Sequence, residues 1–234
     1  MSRRIMVLGI ALVLITGFVG AASQGGLSVA QETLLVLPNG DNLEAFVYAV
    51  IENTSLSIQQ FQGGLAELFD ADSNIVGSEQ LVEYDLSPEV LAPGETGLLY
   101  IGIDIPSVDT ANKISRHALT LFSTGNITTQ VARYPAVARY QEGEGEFELR
   151  RYAAATVNNE TNETLRDFYA GFALKDENGK LLYVSSGTWA SSGILSHSSM
   201  EIRLRIDSRV VDYWVEKGIV PATAEAIVFK TYAE

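Results

Sequence analysis

The chain has 234 residues, of which 29 are acidic and 16 basic, and its formal net charge is −13. An apolar fraction of 47% with 19% charged residues is typical of a folded protein and excludes wholesale disorder. There is no cysteine, so disulfides, thiol nucleophiles and cysteine-ligated metal sites are excluded. Because nucleic acid binds clustered Lys and Arg, the acidic balance predicts that nucleic acid is not a partner.

The first thirty residues have the pattern of an export signal. Two arginines at positions 3 and 4 precede residues 5–22, which carry no charge, and small residues follow. Cleavage after Ser23 or after Ala30 fits this pattern, and we favour Ala30, which would leave Gln31 as the first residue. Because the uncharged stretch is close to the length that spans a bilayer, retention as a membrane anchor is the alternative.

Both alternatives place the rest of the chain outside the cytoplasm. After Arg4 the next basic residue is Lys113, so nothing in the intervening stretch would hold it on the cytoplasmic side. We therefore expect an extracytoplasmic protein, either secreted or anchored. Its contact with the membrane would be through residues 5–22 alone, if they are retained.

Beyond residue 30 the sequence predicts β-strands and almost no helix. In residues 44–52 both alternating sets of side chains are apolar, which predicts a strand buried on both faces. Residues 98–105 form a second strand of this kind. One helix is predicted at Ser208–Lys217, because its apolar residues fall on one face, with Asp207 or Ser208 as the start cap and Gly218 at the end.

The chain also matches itself at an offset of about 100 residues. Residues 51–55, Ile-Glu-Asn-Thr-Ser, match residues 157–161, Val-Asn-Asn-Glu-Thr, and residues 68–72 match 174–178 at the same spacing. This repetition predicts an all-β fold of two tandem units, each of about 100 residues, the size of an immunoglobulin-like β-sandwich.

We expect the first unit at residues 31–135 and the second at residues 147–234. Pro135 should stop a strand, and the Gly- and Glu-rich stretch that follows predicts a short linker at residues 136–146. Residues 27–135 contain 14 acidic and 3 basic side chains, whereas residues 136–234 contain 15 and 11. The negative charge therefore belongs mainly to the first unit, and we expect the partner-facing surface in the second.

Each unit carries a short motif at its centre. Residues 172–176 read Phe-Ala-Leu-Lys-Asp, the corresponding residues 66–70 read Ala-Glu-Leu-Phe-Asp, and residues 91–96 form a Leu-Ala-Pro-Gly-Glu-Thr turn. In these features the chain resembles the FxLYD domain, a small extracytoplasmic β-sandwich. Lys175 departs from the motif in the second unit, and Ala66 and Phe69 depart from it in the first. The resemblance implies an exported binding or structural module, often attached to the envelope, and assigns no functional residue.

Asp70, Asp72 and Asn74 place oxygen-bearing side chains at alternate positions, as at the start of a calcium-binding loop. Such a loop also needs glycine at its sixth position and glutamate at its twelfth, where this chain has Ile75 and Leu81. A hairpin turn explains the same residues and is the favoured interpretation. No cofactor is expected.

The sequence contains no recognised catalytic motif. His117 and His197 lie in different units, and neither a Gly-x-Ser-x-Gly nor a His-Glu-x-x-His pattern occurs. We predict that the protein is not an enzyme. A glycosidase-type pair of carboxylates, which sequence alone does not exclude, is the enzymatic alternative.

Trp189 and Trp214, with Tyr183 and Tyr213, are the candidate binding surface, an aromatic platform for a sugar or a partner protein. The favoured alternative is that they belong to the core, as Trp usually does in a β-sandwich. The leading hypothesis is a non-enzymatic structural or protein-binding module with a protein partner at the cell envelope, such as an accessory subunit of a membrane or cell-surface assembly. A carbohydrate- or cation-binding protein is the second hypothesis.

Overall fold

A computed structural model of the chain describes residues 23–40, 42–143 and 150–233. The predicted signal or anchor, residues 5–22, lies outside the described residues. The described part is all-β, as predicted. Its elements are β1 (Ser23–Gln24), β2 (Leu27–Asn39), β3 (Asn42–Asn53), β4 (Gln59–Phe69), β5 (Ile75–Leu81), β6 (Leu86–Ser87), β7 (Val90–Leu91), β8 (Thr96–Ile105), α1 (Val108–Ala111), β9 (Arg116–Thr124), β10 (Thr129–Tyr134), β11 (Ala136–Glu142), β12 (Arg151–Asn159), β13 (Phe168–Lys175), β14 (Leu181–Ala190), β15 (Ser198–Arg205), α2 (Ser208–Lys217) and β16 (Thr223–Ala233).

The strands form four sheets whose order repeats along the chain. In the first half, residues 23–128, the orders are β2-β3-β8-β6 and β1-β9-β4-β5, with β7 also paired to β4. In the second half, residues 129–233, they are β11-β12-β15 and β10-β16-β13-β14. The arrangement β2-β3-β8 thus corresponds to β11-β12-β15, and β9-β4-β5 corresponds to β16-β13-β14. The pairs are antiparallel except for β1 with β9.

Strand β3 is buried on both faces, which confirms the prediction for residues 44–52. One set of its side chains, including Val47 and Ile51, packs in a core with β4, β5 and β9 of the first half. The other set, including Phe46 and Tyr48, packs in a core with β12, β13, β14 and α2 of the second half. The two halves therefore share a hydrophobic core, and burying each large side chain there contributes about 1.5–3 kcal/mol.

Polar contacts also join the two halves. The Arg209 guanidinium binds Asp207 at 2.7 Å and reaches across to Glu44 of β3 at 2.8 Å. It also lies over the Phe46 ring, 4.8 Å from the ring centroid. Nearby, the Thr33 hydroxyl of β2 donates to the backbone carbonyl of Leu181, at the start of β14. These bonds satisfy polar groups that the shared core would otherwise leave without partners.

A buried asparagine fastens the turn between β3 and β4. The side-chain amide of Asn53 donates to the carbonyls of Ser57 and Leu91, both at 2.8 Å. Its oxygen accepts from the backbone N–H and the hydroxyl of Ser55. Because this side chain replaces backbone partners at the end of two strands, it defines the turn that follows β3.

The second half has the same device between β12 and β13. The amide of Asn159 donates to the carbonyls of Glu163, at 2.7 Å, and Ile194, at 2.9 Å. Its oxygen accepts from the backbone N–H and hydroxyl of Thr161. The sequence match between residues 51–55 and 157–161 is therefore also a match of hydrogen bonds.

Two boundaries differ from the sequence predictions. The expected cut after Ala30 lies inside β2, where Leu27 is buried and paired with Asn53. The expected linker is in part a strand, because Ala136–Glu142 forms β11, which pairs with residues 151–157 of β12. Residues 144–149 lie outside the described part. Because β11 is an outer strand of its sheet, its polar side chains can stay in solvent and need not be desolvated. This explains why its sequence is like that of a linker.

The predicted helix is confirmed as α2. The Asp207 carboxylate accepts from the Arg209 backbone N–H, and Gly218 ends the helix in the left-handed conformation at φ +65°. Its buried face, which includes Trp214, packs towards the first half. Within the described ranges, neither helix is long and apolar enough to cross a bilayer.

Candidate binding surface

Strand β14 lies at one edge of the sheet β10-β16-β13-β14. Its first residues, Leu181 to Val184, are buried against the first half, whereas its last six alternate between partly and fully exposed side chains. An edge strand leaves one row of backbone N–H and C=O groups without strand partners. The outer part of β14 can therefore receive an extended segment of another chain.

An aromatic row crosses this sheet next to the exposed part of β14. Trp189 is paired in register with Tyr169 of β13, which is paired with Phe229 of β16. The rings of Tyr169 and Phe229 lie 5.4 Å apart and nearly parallel. Phe229 is buried, whereas Trp189 is 57% exposed. The row therefore runs from a buried ring to the solvent and presents a large apolar ring at its exposed end.

Two glycines set how closely this face of the sheet approaches the first half. A Cβ atom at Gly171 would lie 3.1 Å from a methyl of Leu98, and one at Gly187 would lie 3.0 Å from the Ser87 hydroxyl. Gly187 also has a φ of +142°, which other residues rarely adopt. A side chain at either position would therefore require Leu98 or Ser87 of the first half to shift, which shows how closely the two halves approach here.

The inner end of the row is polar. Arg133 of β10 is paired with Phe229, and its guanidinium donates to the carbonyl of Thr96 at 2.8 Å. The Glu95 carboxylate lies 3.2 Å from its Nε. Burial lowers the pKa of Arg133, and Glu95 acts in the opposite direction and favours the charged form. Glu95 and Thr96 come from the first half, so this contact also fixes the row between the halves.

The other predicted aromatic residues lie elsewhere. Trp214 is 3% exposed and packs edge-on against Tyr183, with ring centroids 6.2 Å apart. Tyr183 in turn contacts Tyr48 of the first half, and burial raises its pKa well above the ordinary value. Tyr213 is half-buried on α2. The structure therefore separates Trp189 from the other three, two of which belong to the shared core.

The loop from Asp70 to Asn74 is a hairpin turn between β4 and β5. One Asp70 oxygen accepts from the backbone N–H groups of Asp72 and Asn74, and the other accepts from the Asn74 amide. These hydrogen bonds lower the pKa of Asp70. Asp176 makes the same two backbone bonds in the second half. Within the described residues, no group of three His, Asp or Glu side chains is placed to hold a metal ion.

The two histidines have separate environments. His117 is buried on β9, and its Nε2 lies 3.2 Å from a carboxylate oxygen of Glu32 on β2. His197 is exposed and hydrogen-bonded to the side-chain oxygen of Asn162 at 3.0 Å. Neither is adjacent to the aromatic row in the pairing of the strands.

The sequence alone did not identify Tyr169 and Phe229 as members of the surface. Their alignment with Trp189 depends on the order β14-β13-β16 and on a bulge between Ala170 and Phe172. The sequence does contain one indication of them, the pattern Asp-Phe-Tyr at residues 167–169, which places an aromatic residue on each face of a strand.

A scan against models of protein families matched none to this chain, and a search of curated proteins found no match either.

Proposed function

We propose that this protein is a non-enzymatic, extracytoplasmic binding module built of two tandem immunoglobulin-like sandwiches and held at the membrane by its N-terminal segment. The repeated strand order supports the tandem arrangement, and so do the equivalent hydrogen bonds of Asn53 and Asn159. Two sandwiches packed through a shared core form a stiff support for an exposed edge. An accessory role in a membrane or cell-surface assembly fits such a support.

The resemblance to the FxLYD domain is part of this proposal. Phe172 and Leu174 of the motif are both fully buried in β13, and Asp176 closes the hairpin that follows. In the first half, Leu68 and Asp70 take the corresponding places. These positions support the interpretation of the motif as a structural signature of a sandwich, which carries no chemistry of its own.

We infer that residues 5–22 are retained as an anchor. Cleavage after Ala30 would remove Leu27 from the core and cut the pairing between β2 and β3. Cleavage after Ser23 would leave a charged amino group within β1, which pairs with β9. The intact mass of the protein extracted from membranes tests this inference. We expect the mass of a chain that retains residues 5–22, whereas a mass starting at Gln24 or Gln31 would overturn retention.

The partner surface in this proposal is the exposed part of β14 with Trp189. The single observation that carries it is a tryptophan 57% exposed at the end of an aromatic row on an edge strand. Interface hot spots are enriched in such rings, and an edge strand supplies backbone hydrogen bonds. The partner would be a protein that offers an extended segment with an apolar side chain.

Capture of companions by the full-length protein from its own membranes tests this surface. We expect Trp189→Ala to lose the companion by roughly 30-fold or more, as for a hot-spot residue. Val137→Ala is the matched control, because Val137 is also an exposed apolar residue and lies on another outer strand, β11. Recovery of the same amount of companion with both variants would contradict the assignment of β14 as the partner surface.

A carbohydrate-binding protein is the second candidate, because the same exposed Trp189 ring can stack on a sugar. Thermal unfolding in a panel of glycans separates the candidates. Saturable stabilisation that Trp189→Ala abolishes would favour the sugar, since a bound ligand stabilises the folded state. The same panel with calcium tests the cation alternative at Asp70 and Asp72.

A further inference from the structure

One end of the first half lies next to the point where the described chain begins. Ser23 is paired with Leu121, three residues before the end of β9. The Gly26 carbonyl then accepts hydrogen bonds from the backbone N–H and the hydroxyl of Thr54, at 2.8 and 3.2 Å. The turn held by the Asn53 side chain is therefore adjacent to the segment that directly follows the apolar residues 5–22 in the sequence.

This turn presents apolar side chains to solvent. Leu56 is 99% exposed and Ile58 is 46% exposed, and Phe122 of the neighbouring β9 is partly exposed as well. The equivalent turn of the second half has Asn162 and Thr164 at the positions of Leu56 and Ile58. Since the hydrogen bonds of both turns are alike, the fold does not require apolar residues at these two positions.

The same end is poor in charged side chains, although the protein is strongly acidic. Residues 23–31, 53–66, 90–94 and 117–128 contribute its described strands and loops, and they contain no Asp, Glu, Lys or Arg. Three acids lie at its border: Glu95 is paired with Arg133, and Glu52 and Glu89 are partly buried. In a chain of net charge −13, this depletion matches a surface that faces an apolar or interfacial environment.

We propose that this end of the first half rests on the lipid bilayer, with Leu56 and Ile58 inserted at the interface. The proposal depends on the retained anchor inferred above, because the anchor brings this end to the membrane. A surface poor in charged side chains lowers the cost of desolvating charges at the bilayer, and two aliphatic side chains add burial in the headgroup region. The second half, with its β14 edge, then projects away from the membrane.

The absence of cysteine makes a direct test simple. A single cysteine is introduced in the full-length chain as Leu56→Cys, with Asn162→Cys at the equivalent position as the matched control. Each variant is labelled with a fluorophore and reconstituted into phosphatidylcholine vesicles that carry a quencher on the lipid. Flotation with the vesicles is measured on the same samples, and the melting temperature of each variant checks its folding.

We expect both variants to float, and the label at position 56 to lose about half of its emission or more, because interfacial side chains lie about 5–10 Å into the headgroup region. The label at position 162 should be barely quenched. Equal quenching at the two positions in floating protein would overturn this contact and leave the anchor intact. Protein that fails to float would overturn both the anchor and the contact.

Discussion

The two halves of the chain repeat one strand order, yet they differ wherever side chains do more than build that order. Both close their first turn with a buried asparagine, and both begin the turn of their central hairpin with an aspartate. The first half has the four-residue α1, whereas the second has the ten-residue α2, which carries Trp214 and Arg209 against the first half. Repeated residues thus specify the scaffold, and residues that do not repeat specify the packing between halves and the exposed surfaces.

The largest effect on stability should come from Trp214, because the first half contains no tryptophan. Trp214→Ala removes a buried ring that contacts Tyr183, and we expect the free energy of unfolding to fall by about 3–5 kcal/mol. Because Trp214 belongs to the shared core, urea unfolding should remain a single transition. Val215→Ala, at an exposed position of the same helix, is the control and should have little effect.

The repeated asparagines should behave alike. Asn53→Ala and Asn159→Ala each remove hydrogen bonds from a buried amide to the carbonyls of its turn, which costs about 0.5–1.5 kcal/mol for each bond lost. We expect losses of similar size from chemical denaturation, with exposed Asn126→Ala unchanged. A large loss for one variant and none for the other would show that the two turns are not equivalent in energy.

The ion pair of Asp207 with Arg209, the residue that also reaches Glu44 of the first half, predicts a pH dependence. Burial acts to raise the pKa of Asp207, but the hydrogen bonds from Arg209 outweigh it and hold that pKa below its ordinary value. Such a carboxylate stabilises the fold above its unfolded pKa, about 4, and the contribution is lost as pH falls through the lower folded pKa.

We therefore expect Arg209→Met to lose about 1 kcal/mol at neutral pH, after allowing for the partial exposure of the pair. The difference from the parent protein should shrink in denaturation curves recorded below pH 4. Arg203→Met, which breaks an exposed pair with Glu201, should show a smaller loss at neutral pH. A loss for Arg209→Met that is constant from neutral to acid pH would contradict the role of Asp207.

The smallest effect should come from the other tryptophan. Trp189→Ala removes a ring that is mostly in solvent, so we expect a change in unfolding free energy within about 0.5 kcal/mol. The difference between the stability losses of Trp189→Ala and Trp214→Ala distinguishes a surface residue from a core residue. A loss of several kcal/mol at Trp189 would show that its ring supports the sheet, and would weaken its assignment to binding.

Local pattern was sufficient for the elements that obey a simple period. Both faces of β3 were predicted from unbroken apolar residues, and α2 was predicted from its apolar face and its caps. The edge strand β11 was missed, because a solvent-facing strand tolerates the polar residues that also characterise linkers. The boundary predicted after Ala30 falls within β2, since small residues that suit a cleavage site also suit an edge strand.

The members of the candidate surface could not be predicted from the sequence, because they are brought together by pairing between distant strands. Trp189, Tyr169 and Phe229 come together through three strands and a bulge, and no spacing along the chain encodes that register. The same holds for Arg209 and Glu44, which are 165 positions apart. Whether an aromatic residue faces core or solvent was decided by the packing of the two halves, which repetition in the sequence does not reveal.

The buried asparagines have a consequence for covalent modification. Asn53 and Asn159 each begin an Asn-x-Ser/Thr acceptor for N-linked glycans, and so do the exposed Asn126 and Asn162. A glycan on Asn53 would replace an amide hydrogen that bonds Ser57 or Leu91, so a modified chain could not close this turn. In a glycosylating compartment, folding and modification would therefore compete at the two scaffold positions, while the two exposed acceptors stay compatible with the folded protein.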